Sequence, residues 1–300
     1  MKKFADGKKI LVLGGTYQHR KIVKRAREYG IETYVTDYLP LELSPAKMMA
    51  DHQYMINITD IDELVKLCKK EQIDGVLAPY LDVTQKPYQK LCEIMNYPCF
   101  GNAFQHHILT NKEAFKKFCV NNGADIIQSF TIQQIDDDEI EYPVLIKPVD
   151  SRGSRGQSIC NSRDEALEGI KFALKESASG DILVEKYMGN ENDLQLVYFV
   201  INGEPYLYKV EDRYLGSMEN GLDKLCIATI APSRHYNTFC GTADLKIRQM
   251  IRNLGLKNSP VFIQCFMDGE TARVYDPGIR MPGDDYDDAE YLLGGIDIVY

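Results

Sequence analysis

Nowhere does the 300-residue chain carry an uninterrupted apolar run of the ~18 residues that a membrane-spanning helix needs, so no membrane span is expected. A surplus of positive charge is missing too: 35 Lys and Arg stand against 44 Asp and Glu, giving a net charge of -9 and a pI near 5.2. Nucleic acids and anionic membranes are bound through basic surface, so neither is expected as a partner. The eight cysteines, at 68, 92, 99, 119, 160, 226, 240 and 265, include no C-x-x-C pair. They read as reduced, mostly buried thiols of a cytoplasmic protein, with no zinc site among them. The five histidines show no ligand spacing, and His106-His107 reads as a surface pair. The start MKKFADGKKI runs straight from basic residues into a strand pattern, which is not the layout of a signal peptide. Neither a G-x-x-x-x-G-K-[ST] phosphate loop nor the full G-x-G-x-x-G dinucleotide fingerprint occurs. No Ser-His-Asp, Cys-His or paired-carboxylate hydrolase arrangement stands in their place.

With 44% hydrophobic residues, the chain can fill a sizeable core, and its length suggests two or three domains. KKILVLGG (8–15) reads as a buried strand ending in a glycine turn, and 17–29 as a basic amphipathic helix. IETYVTD (31–37) is the next strand. A helix over 60–71 leads into IDGVLAPY (73–80), and another over 83–96 leads into PCFGN (98–102). Strands alternating with helices predict a parallel α/β sheet with right-handed crossovers. Ligands of such sheets sit at the carboxyl ends of strands, so the turns Gly14–Thr16 and Tyr80–Asp82 are placed to face a site.

Around residue 109 the pattern changes. TNKEAFKKFCVNNG (110–123) is a helix capped by Thr110 or Asn111 and stopped by Gly123. SFTIQQI (129–135) reads as a strand, DDDE (136–139) as a solvated loop, 163–176 as a helix capped by Asn161 or Ser162, and DILVEKYM (181–188) as a strand. Two hairpins are expected, one turning at Asn202-Gly203 and one near Asp268-Gly269, with a long loop over 212–233 and a helix over 241–254 between them. The second half is therefore α+β with antiparallel sheets. Within it, EYPVLIKPVDSRGSRGQSIC (141–160) ends a strand on Lys147 and follows it with a Gly, Ser and Arg loop. Either an anion such as a polyphosphate is held there, or the stretch is a hairpin turn with a solvated charge at each end.

The order of these features is specific. A lysine opens a helix (Lys112), a second ends a strand (Lys147) and a Gly/Ser loop follows. Then come VEKYM (184–188), Asp193 at a hairpin start, and a late hairpin carrying Gln264 and Asp276 before Arg280. Over essentially its whole length the chain resembles the ATP-grasp superfamily, particularly the carbamoyl-phosphate-synthase-like carboxylate–amine ligases. The resemblance implies a pre-ATP-grasp, Rossmann-like domain over 1–108. It implies an ATP-grasp domain over 109–300, with a mobile lid lobe at about 129–185 and a C-terminal lobe at about 186–300. Lys112 and Lys147 match the two cations that reach the nucleotide phosphates. Ser151, Arg152, Gly153, Ser154, Arg155 and Gly156 match the loop that closes over them, where small residues let backbone N–H groups approach an anion. Glu185 matches an acceptor for the adenine amino group, and the backbone of Lys186, Tyr187 and Met188 the reader of the ring edge. Asp193 matches an acidic position near ribose or metal, and equally a hairpin-start residue.

At the metal site the match departs from the family, which usually places a Glu or Gln on one strand and E-x-N-P-R on the next. Here Gln264 is in place, but the second run reads DPGIR (276–280), with Asp276 for the Glu, Gly278 for the Asn and Arg280 for the Arg. A shorter carboxylate and a missing amide oxygen weaken a Mg²⁺ or Mn²⁺ site. A three-residue loop centred on Glu270 would pair Gln264 with Asp276, whereas a two-residue turn at Asp268-Gly269 would pair it with Arg273. Asp284, Asp285, Asp287 and Asp288 read as compensating ligands or as an acidic helix start. Arg213 and Arg234, in the 212–234 segment where relatives build the acceptor pocket, are candidates for orienting a carboxylate.

The implied activity is ATP-dependent activation of a small-molecule carboxylate as an acylphosphate, followed by attack of an amine-type nucleophile. Lys147 and Arg280 are the catalytic candidates, with ATP and Mg²⁺ as cofactors. The D-P-G departure supports a rival: a nucleotide-binding sensor or subunit with impaired turnover. A nicotinamide-dependent dehydrogenase is a distant third. The apolar ending GGIDIVY reads as a chain shortened at its end, or as a last element that pairs with a second copy or a companion subunit.

Overall fold

After Lys9 the segment ILVL is apolar at every position because the strand it forms is covered on both faces. In the computed structural model, which describes residues 5–137, 139–149, 156–177, 179–217 and 224–283, this is β1 (Lys9–Leu13). It lies between β2 (Glu32–Thr36) and β4 (Gly75–Leu77), and β3 (His52–Tyr54) completes the order β3-β2-β1-β4, all parallel. Val12 and Val35 pack with Val23 of α1 (His19–Glu28) and Ala46 of α2 (Pro45–Met49). Leu11 and Leu13 point the other way, into Leu64 and Leu67 of α3 (Ile61–Glu71) and Tyr88 and Leu91 of α4 (Asp82–Met95). The strand expected over 73–80 is confined to Gly75–Leu77, and 98–102 is not a strand. Instead Asn102 caps α5 (Ala103–Thr110) with a full capping box to Gln105.

The antiparallel second half has two sheets. The smaller, in the order β5-β8-β6-β7, contains β5 (Ser129–Phe130), β6 (Val144–Pro148), β7 (Ser158–Cys160) and β8 (Ile182–Lys186). The strand expected over 129–135 stops at Phe130, because Thr131 and Gln134 form a capping box that starts α7 (Ile132–Asp136). α8 (Arg163–Glu176), capped by Ser162, covers the face carrying Val144, Ile146, Cys160 and Val184.

The larger sheet runs β11-β10-β9-β12-β13, from β9 (Asp193–Ile201), β10 (Glu204–Ser217), β11 (Lys224–Ile230), β12 (Ser259–Asp268) and β13 (Thr271–Gly278). Asn202 and Gly203 turn the first hairpin, with φ of 53° and 87° that suit a primed two-residue turn. The segment expected as a long loop is mostly strand. β10 continues past Asp212, bulges between Tyr214 and Leu215, and pairs with β11. The helix expected over 241–254 is two, α9 (Tyr236–Thr242) and α10 (Asp244–Leu254). Leu194, Leu196, Tyr198, Ile263, Cys265 and Val274 turn one face of this sheet into a core shared with α5, α10 and Phe115 and Cys119 of α6 (Lys112–Asn121). The opposite face carries the polar side chains of Asp193, Gln195 and Gln264.

Candidate functional site

Helix α6 ties the two lobes together. Its cap is the Asn111 side chain, which accepts from Ala114 N, and Lys112 and Lys116 follow on one stripe, one turn apart. Lys112 Nζ lies 3.4 Å from Asp276 Oδ1 on β13, while Lys116 forms an ion pair with Glu185 on β8. Lys147 Nζ reaches the same carboxylate, 2.6 Å from Glu185 Oε2. Register explains the meeting. Ser129 stands directly opposite Glu185, and Lys147 stands opposite Leu183, so its side chain crosses the diagonal to Glu185. Lys116 Nζ also donates to Ser129 Oγ at 3.3 Å. Burial, aided by the neighbouring ammonium of Lys112, pushes Lys116 down to about 8.

Glu185 thus sits where sequence position expects the adenine acceptor, but its carboxylate is buried between two lysines. In the run that follows it, Lys186 N donates to Gln128 O and Tyr187 N to Pro143 O. Met188 is the residue whose amide has no backbone acceptor among the described residues. Gly156 closes the loop against the end of β6: a Cβ there would come within 2.7 Å of Pro148 Cγ, at a φ of +71°. Ser151, Arg152, Gly153, Ser154 and Arg155 lie outside the described residues, as do Asp284, Asp285, Asp287 and Asp288.

Asp193, expected from its position near ribose or metal or as a hairpin-start residue, opens β9 and is held by two side chains. Its side chain is inaccessible, Arg213 Nη1 donates to Oδ2 at 2.9 Å, and Tyr275 Oη donates to Oδ1 at 2.9 Å. Arg213 Nη1 also donates to Tyr275 Oη at 2.8 Å, which closes a triangle. Tyr275 reaches it because β13 is irregular there. The hairpin turns on Gly269-Glu270, pairing Asp268 with Thr271 and Cys265 with Val274; then one extra residue, Tyr275, restores the pairing of Gln264 with Asp276. The pairing matches one of the two registers open from sequence, reached by a two-residue turn plus a bulge. Burial, then the neighbouring Asp193 carboxylate, raises the Tyr275 phenol well above its usual range.

The polar face carries a continuous row across four strands. Glu211 is opposite Gln195, Gln195 opposite Gln264, and Gln264 opposite Asp276. Gln195 Nε2 donates to Glu211 Oε1 at 2.6 Å, and Gln264 Nε2 donates to Gln195 Oε1 at 3.3 Å. Lys209 Nζ holds Glu211 Oε2 at 2.9 Å, so this buried carboxylate is already neutralised. At the other end, Gln264 keeps its carbonyl oxygen beside the Asp276 carboxylate. These are hard oxygen donors suited to Mg²⁺, which binds through one or two carboxylates and takes its other ligands from water and phosphates. No group of three or more His, Cys, Asp or Glu able to hold a metal occurs among the described residues.

Beside this row opens a cleft of ≈310 Å³, lined by Gln195, Gln264, Arg213, Phe262, Arg280, Tyr80, Leu81, Asp82, Cys226 and Gly283. Arg280 is held bidentately by Asp82, at the start of α4, with Nε–Oδ1 2.5 Å and Nη2–Oδ2 2.8 Å. Its guanidinium carbon lies 4.5 Å from the Phe262 ring centroid. Phe262 also accounts for Gly278, since a Cβ at 278 would fall 1.8 Å from Phe262 Cε1. The first domain reaches the cleft through its strand-end turns: Met281 N donates to Pro79 O at 2.8 Å and Gln18 Nε2 to Gly283 O at 2.7 Å. Arg234 does not line this cleft; it donates to Asn192 Oδ1 at 3.1 Å and flanks Asp212. Sequence reasoning missed Lys116, Tyr275, Gln195, Glu211 and the pairing of Asp82. Signals did exist, since Lys116 is four residues from Lys112 and Gln195 shares a strand face with Asp193.

Two family models match, the PylC-like N-terminal domain over residues 10–85 and the carbamoyl-phosphate synthase L chain ATP-binding domain over 111–197. A formate-dependent phosphoribosylglycinamide formyltransferase of Prochlorococcus marinus is 26% identical over 198 residues, covering 63% of this chain and 50% of the relative. The carbamoyl phosphate synthase large chain of Thermoanaerobacter pseudethanolicus is 25% identical over 209 residues, covering 62% of this chain and 19% of the relative. The chain thus spans about half, or less, of the length of these relatives. Among solved structures, phosphoribosylglycinamide synthetase from Anaerococcus prevotii superimposes with a TM-score of 0.78 at 17% identity, over 97% of this chain and 73% of that one. The biotin carboxylase domain of Hydrogenobacter thermophilus 2-oxoglutarate carboxylase, in complex with MgADP and bicarbonate, gives 0.79 at 20% identity, over 97% and 68%.

Proposed function

We propose that the chain is an ATP-dependent carboxylate–amine ligase of the ATP-grasp superfamily, a reading supported by its matches to the PylC-like N-terminal and carbamoyl-phosphate synthase ATP-binding family models. The observation that carries the reading is that α6 sets Lys112 on Asp276, the strand partner of Gln264, and Lys116 on the Glu185 that also holds Lys147, while Gln264 and Arg280 line one cleft. In this reading a carboxylate oxygen of the substrate attacks the γ-phosphorus of ATP, and the bond to the β–γ bridging oxygen breaks to release ADP. The amine nitrogen then attacks the acyl carbon of the acylphosphate, phosphate leaves, and the nitrogen gives up a proton. The protein supplies position and charge: Lys147 and Lys112 meet the phosphoryl oxygens, while Arg280 and Arg213 orient the acid in the cleft. Asp276 and Gln264 would hold Mg²⁺, or Mn²⁺ in its place, which offsets charge on the phosphates. The eight free cysteines support a reducing, cytoplasmic setting.

A second reading, a nucleotide-binding sensor or subunit with impaired turnover, is favoured by Gly278 where relatives place an Asn. A thermal-shift titration with ATP, with and without Mg²⁺, on wild type and Lys147→Ala separates the two. Saturation at about 100 times Kd should add ~2.7 kcal/mol. A shift that needs Mg²⁺ and is lost in Lys147→Ala supports the ligase, and a shift indifferent to Mg²⁺ supports the binder. No shift at any concentration would reject both.

A further inference from the structure

One buried carboxylate, Glu185, faces two ammonium groups, Lys116 and Lys147. A third, Lys112, stands one turn from Lys116 and is offset by Asp276. Two ammonium groups thus share one carboxylate, so one of them can turn to an incoming anion while the other stays. The two lysines on Glu185 are not equivalent. Lys147 is the more accessible, 16% against 9%, and it sits at the end of β6 beside the glycine loop. Lys116 is on α6, whose Phe115 and Cys119 are locked into the core, and it is tied to Ser129 as well.

We propose that Lys116 is a positioning residue for the adenine end of the nucleotide, the anchor that keeps Glu185 in place when Lys147 leaves it for the phosphates. The inference rests on the nucleotide reading above. When Lys147 turns to the phosphate chain, Glu185 without Lys116 would be a buried carboxylate lacking a counter-ion, the costly arrangement that would drive it out of position. With Lys116, the carboxylate stays ionised at the start of the 185–188 run. Two lysines on one carboxylate thus serve an exchange in which one is mobile and one is fixed.

Isothermal titration of the full chain with ADP and with adenosine tests this, using Lys116→Gln, Lys116→Arg, Lys147→Met, Glu185→Gln and the double variant Lys116→Gln/Glu185→Gln. Lys116→Gln should weaken ADP about tenfold or more and adenosine much less, because without phosphates Lys147 stays on Glu185, and Lys116→Arg should recover most of the loss. Lys147→Met should weaken ADP and leave adenosine nearly unchanged. In the Glu185→Gln background Lys116→Gln should add no further loss, because it acts through that carboxylate. Unchanged ADP binding in Lys116→Gln, an equal loss for adenosine, or additive losses in the double variant would each overturn the anchoring role while leaving the nucleotide reading intact. Wild type that binds neither ligand would overturn that reading and this inference with it. Should Lys116→Gln fail to fold, Lys116→Arg decides: tenfold weaker ADP binding in a folded Arg variant would reject an ionic anchor.

Discussion

Replacing Arg213 with methionine takes the cation away from a carboxylate that water cannot reach. The Asp193 side chain is 0% exposed and Arg213 15%, and one guanidinium nitrogen serves both Asp193 and Tyr275. Breaking a buried pair by deleting one member costs about 3–5 kcal/mol, chiefly because the remaining charge stays uncompensated. Arg213→Met should therefore lower unfolding stability by about that amount. Tyr275→Phe deletes one donor to Asp193 and should cost about 1–3 kcal/mol. Deleting both charges, in Arg213→Met/Asp193→Asn, should cost clearly less than the two single losses summed, with a coupling of about 2 kcal/mol. Urea unfolding with stabilities compared at matched slopes measures all four. Asp193→Asn should also leave the Mg²⁺ dependence of the ATP-induced thermal shift unchanged, since both carboxylate oxygens serve the triangle. Additive single losses would refute the closed triad. A nearly silent Asp193→Asn that abolished the Mg²⁺ dependence would return Asp193 to the metal or ribose role suggested by its sequence position.

His19 offers a pH signature. It is fully buried, and desolvation pushes it from 6.5 down to about 4 although Asp37 pulls the other way. The unfolded chain therefore takes up this proton first, so the stabilisation is present above about pH 6.5 and is lost as pH falls toward 4, about 3 kcal/mol in all. Urea midpoints between pH 7 and pH 4.5 should fall less steeply in His19→Gln than in wild type, and parallel curves would contradict a buried neutral imidazole. Gly278→Ala should destabilise by about 1–3 kcal/mol and slow turnover, because the new methyl displaces the Phe262 ring on which Arg280 rests. Phe262→Ala in the same chain should relieve part of that thermal destabilisation, and a silent Gly278→Ala would mean that the ring is not fixed over residue 278.

Parallel and antiparallel halves were legible in the sequence because their signals are local. Alternating strand and helix periods, the cap at Asn111 and the Asn202-Gly203 turn each depend on a few neighbouring residues. The errors fall where two local signals compete. At 129–135 the β-branched and apolar residues read as strand, but the Thr131–Gln134 capping box starts a helix after two strand residues. Over 212–233 the polar composition and glycines read as loop, yet cross-strand pairing with β11 extends β10 to Ser217. Such pairing is a property of two segments, and neither one alone announces it.

The site divides the same way. Lys112, Lys147, Glu185, Gln264, Asp276 and Arg280 could be named from the order of motifs, since that order survives at low identity. Their partners could not. Asp82 meets Arg280 across 198 residues, and Tyr275 meets Asp193 only because an extra residue in β13 shifts the register. Lys116 is the sharpest case. By helical spacing it belongs to the stripe that carries Phe115 and Cys119 into the core, where a lysine is expected to snorkel toward water. It stays buried because Glu185 and Ser129 arrive from two different strands to receive it, so its meaning exists only once the lid sheet has formed against α6. The same helix holds Asp276 of the opposite lobe through Lys112. A change that shifts α6 by a fraction of a turn would then disturb the Glu185 and Asp276 carboxylates together, which couples the two ends of the proposed site through one rigid element.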